Sequence, residues 1–355
     1  MKPSKLLLVS PCQGAYGGIE AFVLAVAAAV RKEPDFEVRV CFKKTKHFAR
    51  QTSLKAMLRD EPEVEFCERA DKDLATAIRW ADIVHLQNAS PDVIVLSKLF
   101  RKRLVLTIHN YMARELNAHR LLWRLSAKFA DARWYNSQFV WDTWEGDGKR
   151  RGSRKVATTS KLPEGWMPPE RRIGFAFIGR WIANKGIDTL LDAYAEARID
   201  HARWPLVLMG DGPLRSLIEY AIQKRAVTGI SVLGFVDEKT KAQNMMKARW
   251  VVVPPNTRED FGLTAVEARH LGVPCIITRD GGLPEAGGRQ ALVCEPADVA
   301  GLARLLEQAA QMSEVDYAER AQRTREELAA ELEPMEFYPR AYRRILRGEP
   351  LDDAQ

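Results

Sequence analysis

WVVVPPNTREDFGLTAVEA, residues 250–268, decides how the chain is read. A continuous apolar run, Val251 to Val253, ends at two prolines, which cannot donate to a strand ladder, so a buried strand must stop there. A polar loop carrying Glu259 follows. Gly262 then permits close backbone approach before a helix predicted to begin near Leu263 or Thr264. The amides of a helix start point at an anion, and the helix dipole reinforces them. Glu259 in the loop and Glu267 one turn into the helix can both reach a ligand held there, and carboxylates accept hydrogen bonds from vicinal hydroxyls such as those of sugars and ribose. An isolated pair of this kind would be ordinary surface charge; the rest of the chain decides.

Outward from that segment, short β-branched or leucine-rich runs recur, separated by glycine-containing turns and helical patterns. In the first half the expected strands are Leu6 to Val9, Val38 to Phe42, Ile83 to Leu86, Leu104 to Ile108 and Arg133 to Tyr135. In the second half they are Phe175 to Gly179, Leu206 to Gly210, Ser231 to Gly234, Trp250 to Pro254, Cys275 to Thr278 and Leu292 to Cys294. Short continuous apolar strands alternating with helices are the pattern of parallel sheets covered on both faces. Ile187, Leu190, Leu191, Tyr194 and Ala195 form a single apolar stripe of helical period. Prolines and a glycine interrupt the pattern at PEGWMPP, residues 163–169. The expected class is therefore α/β: two Rossmann-like, doubly wound domains over 1–165 and 170–334, facing each other across a cleft, followed by an amphipathic stretch, Phe337 to Leu346, in a tail over 335–355.

Composition narrows the class further. The chain has 355 residues, 46% hydrophobic and 28% charged, which excludes low-complexity, collagenous and coiled-coil chains. Its longest uncharged apolar run, Ala21 to Val30, is half of the roughly 20 residues that a membrane-spanning helix needs. MKPSKLLLVS at the N-terminus reads as a first strand rather than a signal-peptide core. Five scattered cysteines suggest neither a disulfide framework nor a zinc site. The expected location is the cytoplasm, with the cytoplasmic face of the membrane as a peripheral variant. Net charge is +7, and residues 1–169 carry 29 Lys+Arg against 19 Asp+Glu, so the first half alone is +10. Its clusters are Lys43, Lys44, Lys46 and Arg50; Arg101, Lys102 and Arg103; and Lys149, Arg150, Arg151, Arg154 and Lys155. Together with Trp123, Trp134, Trp141 and Trp144 they suit an anionic membrane interface, against the plainer reading of core tryptophans and solvated lysines.

Further candidates for chemistry follow other strands. Arg180, then Lys185 and Gly186, stand where a strand turns into a helix. Arg can clamp two phosphate oxygens and Lys adds a mobile point charge, which suits a diphosphate. In GAYGGIE, Gly14, Gly17 and Gly18 lie between a strand and a helix without a full G-x-G-x-x-G, so they make either a plain tight turn or a loop that admits phosphate or sugar.

In this order the motifs resemble the retaining glycosyltransferases of the GT-B fold, family 4: Gly-Gly after the first strand, His109 in TIHNY, GRWIANKG over 179–186, GDGP over 210–213, and Glu259-x7-Glu267. The resemblance spans nearly the whole chain and is looser in the first half. It implies a nucleotide-sugar donor bound mainly by the second domain, a glycan or lipid-linked acceptor bound mainly by the first, and a C-terminal helix that crosses back onto the first domain. By the same resemblance Arg180 and Lys185 clamp the diphosphate, Glu267 takes the ribose hydroxyls, and Glu259 with Phe261, Gly262, Leu263 and Thr264 holds the donor sugar and phosphates. Gly17 and Gly18 sit against the diphosphate, with Gly210 also on the donor side. His109 is the active-site histidine near the sugar and acceptor, and Val236 contacts the base. Asp237 or Glu238 could accept from guanine, which leans towards a GDP-sugar over a UDP-sugar.

The chain departs from the family at Ser160, Lys161 and Leu162, where Asn-Gly is common, and at Asn256, where Ser is usual. No cofactor and no metal are expected, since no His, Cys or Glu cluster has ligand spacing. The rival readings are a nucleotide-sugar-binding pseudoenzyme, an epimerase or a sugar phosphorylase on the same scaffold. A phosphorylase would want a pyridoxal lysine, which no segment suggests. No nucleic-acid partner is expected, since no recognisable binding motif accompanies the basic first half.

Overall fold

The computed structural model describes residues 2–14, 17–45, 54, 58, 64–68, 71–113, 117–148, 150–157, 162–225, 227–257 and 259–349. Lys46, Arg50, Lys149, Ser160 and Lys161, named above, lie outside them. The chain divides into two units: Met1–Lys161 with Leu332–Gln355, and Leu162–Glu331. The last residues, expected as a crossover helix and tail over 335–355, group with the first unit.

In chain order the first unit runs β1 (Ser4–Cys12), α1 (Gly18–Arg31), β2 (Phe36–Lys44), β3 (Val64–Cys67), α2 (Lys72–Trp80), β4 (Ile83–Gln87), α3 (Pro91–Leu99), β5 (Arg103–Ile108), α4 (Ala118–Ala127), β6 (Ala132–Tyr135), α5 (Gln138–Glu145) and β7 (Ser153–Lys155). Among the described residues these strands form a seven-stranded parallel sheet in the order β3-β2-β1-β4-β5-β6-β7. Side chains alternate across it: Leu6 and Leu8 of β1 join a core on one face with Phe22, Val23 and Val26 of α1, while Leu7 and Val9 join the other with Leu74 and Ile78 of α2 and Val93 of α3. β3 and β7 were not anticipated. Both are edge strands, and SRK in β7 has no apolar residue to reveal it.

The second unit continues with β8 (Ile173–Ile178), α6 (Ile187–Glu196), β9 (Leu206–Met209), α7 (Arg215–Arg225), β10 (Ile230–Gly234), α8 (Glu238–Lys247), β11 (Ala248–Val253), α9 (Leu263–His270), β12 (Cys275–Thr278), α10 (Leu283–Gly287), β13 (Leu292–Cys294), α11 (Val299–Gln311) and α12 (Glu314–Glu331). Its six strands are parallel in the order β10-β9-β8-β11-β12-β13. Phe175, Phe177, Trp250 and Val252 pack one face of this sheet on Leu190 and Tyr194 of α6 and Leu302 and Leu306 of α11. In each unit the strand order reverses beside the first strand, so the switch points lie between β1 and β4 and between β8 and β11. Ligands of open α/β sheets bind at such points.

The final helix, α13 (Phe337–Arg347), returns to the first unit. Phe337, Tyr338, Tyr342 and Ile345 are buried with α1 and the β1 face, each contributing on the order of 2 kcal/mol of apolar burial. Phe337 packs on Trp134 with ring centroids 5.2 Å apart, and Tyr342 shares a 2.6 Å hydrogen bond with His85 Nδ1. At the helix rim, Arg343 pairs with Glu33 and Asp35. The tryptophans expected to suit a membrane face are mostly structural: Trp134 is 0% and Trp144 6% exposed, and Trp123 and Trp141 are half-buried. Lys43 is likewise 7% exposed and paired with Asp92 at 2.6 Å, which removes it from any basic surface.

His85 sits wholly inside this core, its Nε2 bonded to Thr107 Oγ1 at 2.7 Å. Burial, with a smaller push from His109, lowers its pKa to about 3. The folded chain therefore refuses a proton that the unfolded chain accepts below about pH 6.5. Stability is complete above that value and lost as pH falls towards 3, by about 1.4 kcal/mol per pH unit for each such histidine. The denaturation midpoint is expected to drop between about pH 7 and pH 5, with a smaller drop in His85→Gln. Tyr342→Phe, which strips His85 Nδ1 of its partner, is expected to cost about 1–3 kcal/mol in urea unfolding at neutral pH.

Candidate functional site

The sequence candidates of the second unit all follow the carboxyl ends of four adjacent strands, β10, β9, β8 and β11. β8 ends at Ile178; Arg180 lies exposed just beyond, and a single 3-10 turn, Ala183–Lys185, brings Lys185 to the start of α6. Gly186 links that turn to α6 with φ +65°, and a Cβ there would stand 1.8 Å from the Pro254 carbonyl oxygen, so only glycine lets the two loops meet. Asn256 ties them further: its amide donates to Asn184 O at 3.1 Å and its Oδ1 accepts from Thr189 Oγ1 at 3.0 Å. Thus Asn256, noted above as a departure from the family, is a strut between the two loops.

The closure of these loops puts Lys185 Nζ 2.5 Å from Glu259 Oε2. The resemblance gives them separate duties, diphosphate and sugar; here they form one ion pair, three-quarters or more buried. Glu259 is held by its backbone, whose amide donates to Asp280 Oδ2 at 2.6 Å and whose carbonyl accepts from Gly282 at 2.9 Å. Phe261 is buried beneath the loop, and Gly262, at φ +102°, caps α9 with no side chain, leaving the turn at Leu263 and Thr264 uncapped.

Glu267 is 9% exposed on α9. Burial raises its pKa, and Lys241 Nζ, 3.1 Å from its Oε1, works against that rise. The same ammonium lies 2.7 Å from Glu238. Burial alone would depress the Lys241 pKa, but the two carboxylates outweigh it and the net shift is upward. Lys241 was not among the sequence candidates. It lies three residues from Glu238 on α8, a legible pair, but its reach to Glu267 crosses between helices that only the fold brings together. Val236 is half-buried after β10, and Gly210, at the end of β9, donates its amide to Gly234 O at 2.8 Å. Asp237 caps α8, accepting from the Thr240 amide at 2.6 Å, so that oxygen is not at liberty to read a base.

In the first unit Gly17 is the N-cap of α1 and Gly18 its first residue, next to the switch point. Gly17 donates its amide to Glu20 Oε2 at 3.1 Å, and burial raises the Glu20 pKa. His109 follows β5 and is 6% exposed, with Phe22 edge-on at 5.4 Å. Its Nε2 lies 2.9 Å from Gln87 Oε1 and its amide donates to Asn88 Oδ1 at 2.9 Å. Burial lowers its pKa to about 3, so the ring is neutral near pH 7. Also in the first unit, Lys43 Nζ bonds Ser90 Oγ and Asp92 Oδ1, both at 2.6 Å. Among the described residues no group of three or more His, Cys, Asp or Glu is placed to hold a metal ion.

Residues 160–327 match the family of glycosyl transferases group 1. A 130-residue stretch is 32% identical to a glycogen synthase of Mycobacterium tuberculosis, covering 36% of this chain and 31% of that protein. A 131-residue stretch is 30% identical to a GDP-mannose-dependent alpha-(1-6)-phosphatidylinositol dimannoside mannosyltransferase of the same species, covering 36% and 32%. The chain thus spans about a third of the length of these relatives. Over nearly its whole length it shares its fold with Anabaena Alr3699/HepE in complex with UDP: TM-score 0.78 and 17% identity, over 97% of this chain and 100% of that one. It is similar also to the lipopolysaccharide outer core galactosyltransferase WaaB, with TM-score 0.69 and 15% identity over 97% and 99%. Residues 160–327, a little under half of the chain, thus match glycosyl transferases group 1, and the chain has a GT-B fold.

Proposed function

We propose that the chain is a retaining, metal-independent glycosyltransferase that moves a hexose from a nucleotide-sugar to a glycan or lipid-linked acceptor in polysaccharide or glycolipid synthesis. The observation that carries this reading is the convergence of Arg180, Lys185, Glu259 and Glu267 at the β8–β11 switch point. A nucleoside diphosphate laid there meets two cations and the uncapped start of α9, while two carboxylates accept from hydroxyls. The named relatives point the same way: one is GDP-mannose-dependent, and the Anabaena neighbour binds UDP. The base stays open between guanine and uracil, because Asp237 is engaged as a cap and Glu238 is paired with Lys241.

Retention without a covalent intermediate requires the leaving diphosphate to be stabilised on the face that the acceptor attacks. Arg180, Lys185 and the α9 start provide fixed positive potential where that negative charge develops. Donor phosphates would draw Lys185 from Glu259 and release the carboxylate to the sugar. Neutral His109, its amide bonded to Asn88, would line the acceptor end of the first unit.

In nucleotide titrations Arg180→Ala and Glu267→Ala are each expected to weaken binding more than tenfold, on the order of 2 kcal/mol, while Glu259→Ala lowers turnover more than affinity. Unchanged titrations for Arg180→Ala would remove the clamp. Lys241→Met leaves the buried Glu267 carboxyl without its counter-charge, so its pKa climbs further. Nucleotide affinity should then fall about tenfold, and the loss should deepen as pH is lowered and the carboxyl takes up a proton. Transfer from a panel of GDP-, UDP- and ADP-sugars should proceed equally with and without EDTA; abolition by EDTA and rescue by magnesium would overturn the assignment of charge stabilisation to Arg180 and Lys185.

A further inference from the structure

We propose that α3 and α4 of the first unit form a docking surface for an anionic lipid bilayer. The two helices pack side by side on one face of the sheet. Six of the fourteen large apolar side chains exposed among the described residues lie on them: Val95, Leu99, Leu121, Leu122, Leu125 and, just past the end of α4, Phe129. Leu99 is 68% and Phe129 63% exposed, too far out to be the rim of a core. α4 has its amphipathicity inverted, turning Ser126 and Ala127 to the protein and its leucines to solvent. A surface helix of this kind, with basic residues around an apolar stripe, has the composition of an interfacial helix.

Charge selects the occupant. Between Val93 and Ala130 the sequence carries eight lysines and arginines against one acid, Glu115. Asp131 stands at the edge and pairs with Lys98 and Arg103; Arg101 and Lys128 are exposed beside the apolar side chains. A second copy of this chain brought face to face would set like charges against each other, whereas an anionic headgroup layer attracts them and accepts the leucines beneath. This surface replaces Lys43, Trp134 and Trp144, which the fold buries. Both helices begin at the carboxyl end of the sheet, α3 three residues after Asn88 and α4 nine residues after His109, so a docked first unit would hold its acceptor end near the lipid. The surface stands independently of the transfer reaction proposed above.

The test is co-sedimentation of the full chain with phosphatidylcholine vesicles, with and without phosphatidylglycerol, at low and high salt. Binding to the anionic vesicles is expected, weaker by about tenfold or more on neutral vesicles and at high salt. Two variants should each lose about tenfold: Leu121→Gln with Leu125→Gln and Phe129→Gln, and Arg101→Glu with Lys128→Glu. Thermal midpoint and nucleotide affinity should stay at wild-type values, since every substituted side chain is exposed and belongs to the first unit, whereas the donor loops belong to the second. Negligible or equal binding to both vesicle types, or binding that neither variant weakens, overturns the surface. So does a concentration-dependent dimer that the leucine variant dissolves while vesicles fail to bind. Vesicle binding with no affinity for any nucleotide-sugar would instead sink the donor reading and leave the surface standing.

Discussion

Where Gly186 meets the Pro254 carbonyl there is no room for a single carbon atom, since a Cβ would stand 1.8 Å from the oxygen. The donor side of the molecule depends on that approach. β8 and β11 are neighbours in the sheet, and their following loops must run together at the switch point for Lys185 to reach Glu259. A parallel sheet guarantees that both strands end on the same side, but not that their loops touch. Glycine at 186, the proline stop at 254 and the Asn256 strut supply the contact, and the charges follow from it.

Charge in this region is arranged as alternating pairs. Lys185 with Glu259, and Lys241 with Glu238 and Glu267, neutralise one another in the chain on its own. Glu267 is the most deeply buried of these carboxylates, and Lys241 works against the desolvation that raises its pKa. On the proposed function, a ligand with its own negative charge would compete for those cations and leave the carboxylates available to hydroxyls. Under the proposed function the pairing would serve stability without ligand and recognition with it. In the first unit burial acts differently: His85 and His109 are kept neutral by desolvation, one to anchor α13 through Tyr342, the other beside the residues that follow β4.

Most of the architecture was legible in the amino-acid order because its cause is local. Apolar runs such as Val251–Val253 announce buried strands, prolines 254 and 255 announce their end, and glycine-containing turns announce the switch to a helix. The second-unit residues Arg180, Lys185, Glu259 and Glu267 could be named for the same reason: each follows a recognisable strand, and the sheet brings strand ends together whatever the intervening length. The edge strands β3 and β7 escaped because an edge needs no continuous apolar face.

Three things were decided only by the tertiary structure. Lys241 became the partner of Glu267 because α8 and α9 are placed near each other, a distance that no spacing rule carries. Lys43 and Trp134 left the surface because β2 and β6 lie inside the sheet, where a lysine is tolerated beside Asp92 and a tryptophan beneath α13. The leucines of α4 went the other way: a helical stripe in sequence states only that one side is apolar, and which side meets the sheet is settled by how its neighbours pack. Sequence determined the elements and the chemistry at their ends, since these arise from backbone and side-chain preferences within a few residues. Burial and charge pairing came from contacts between segments tens of residues apart, which exist only once the sheets have closed.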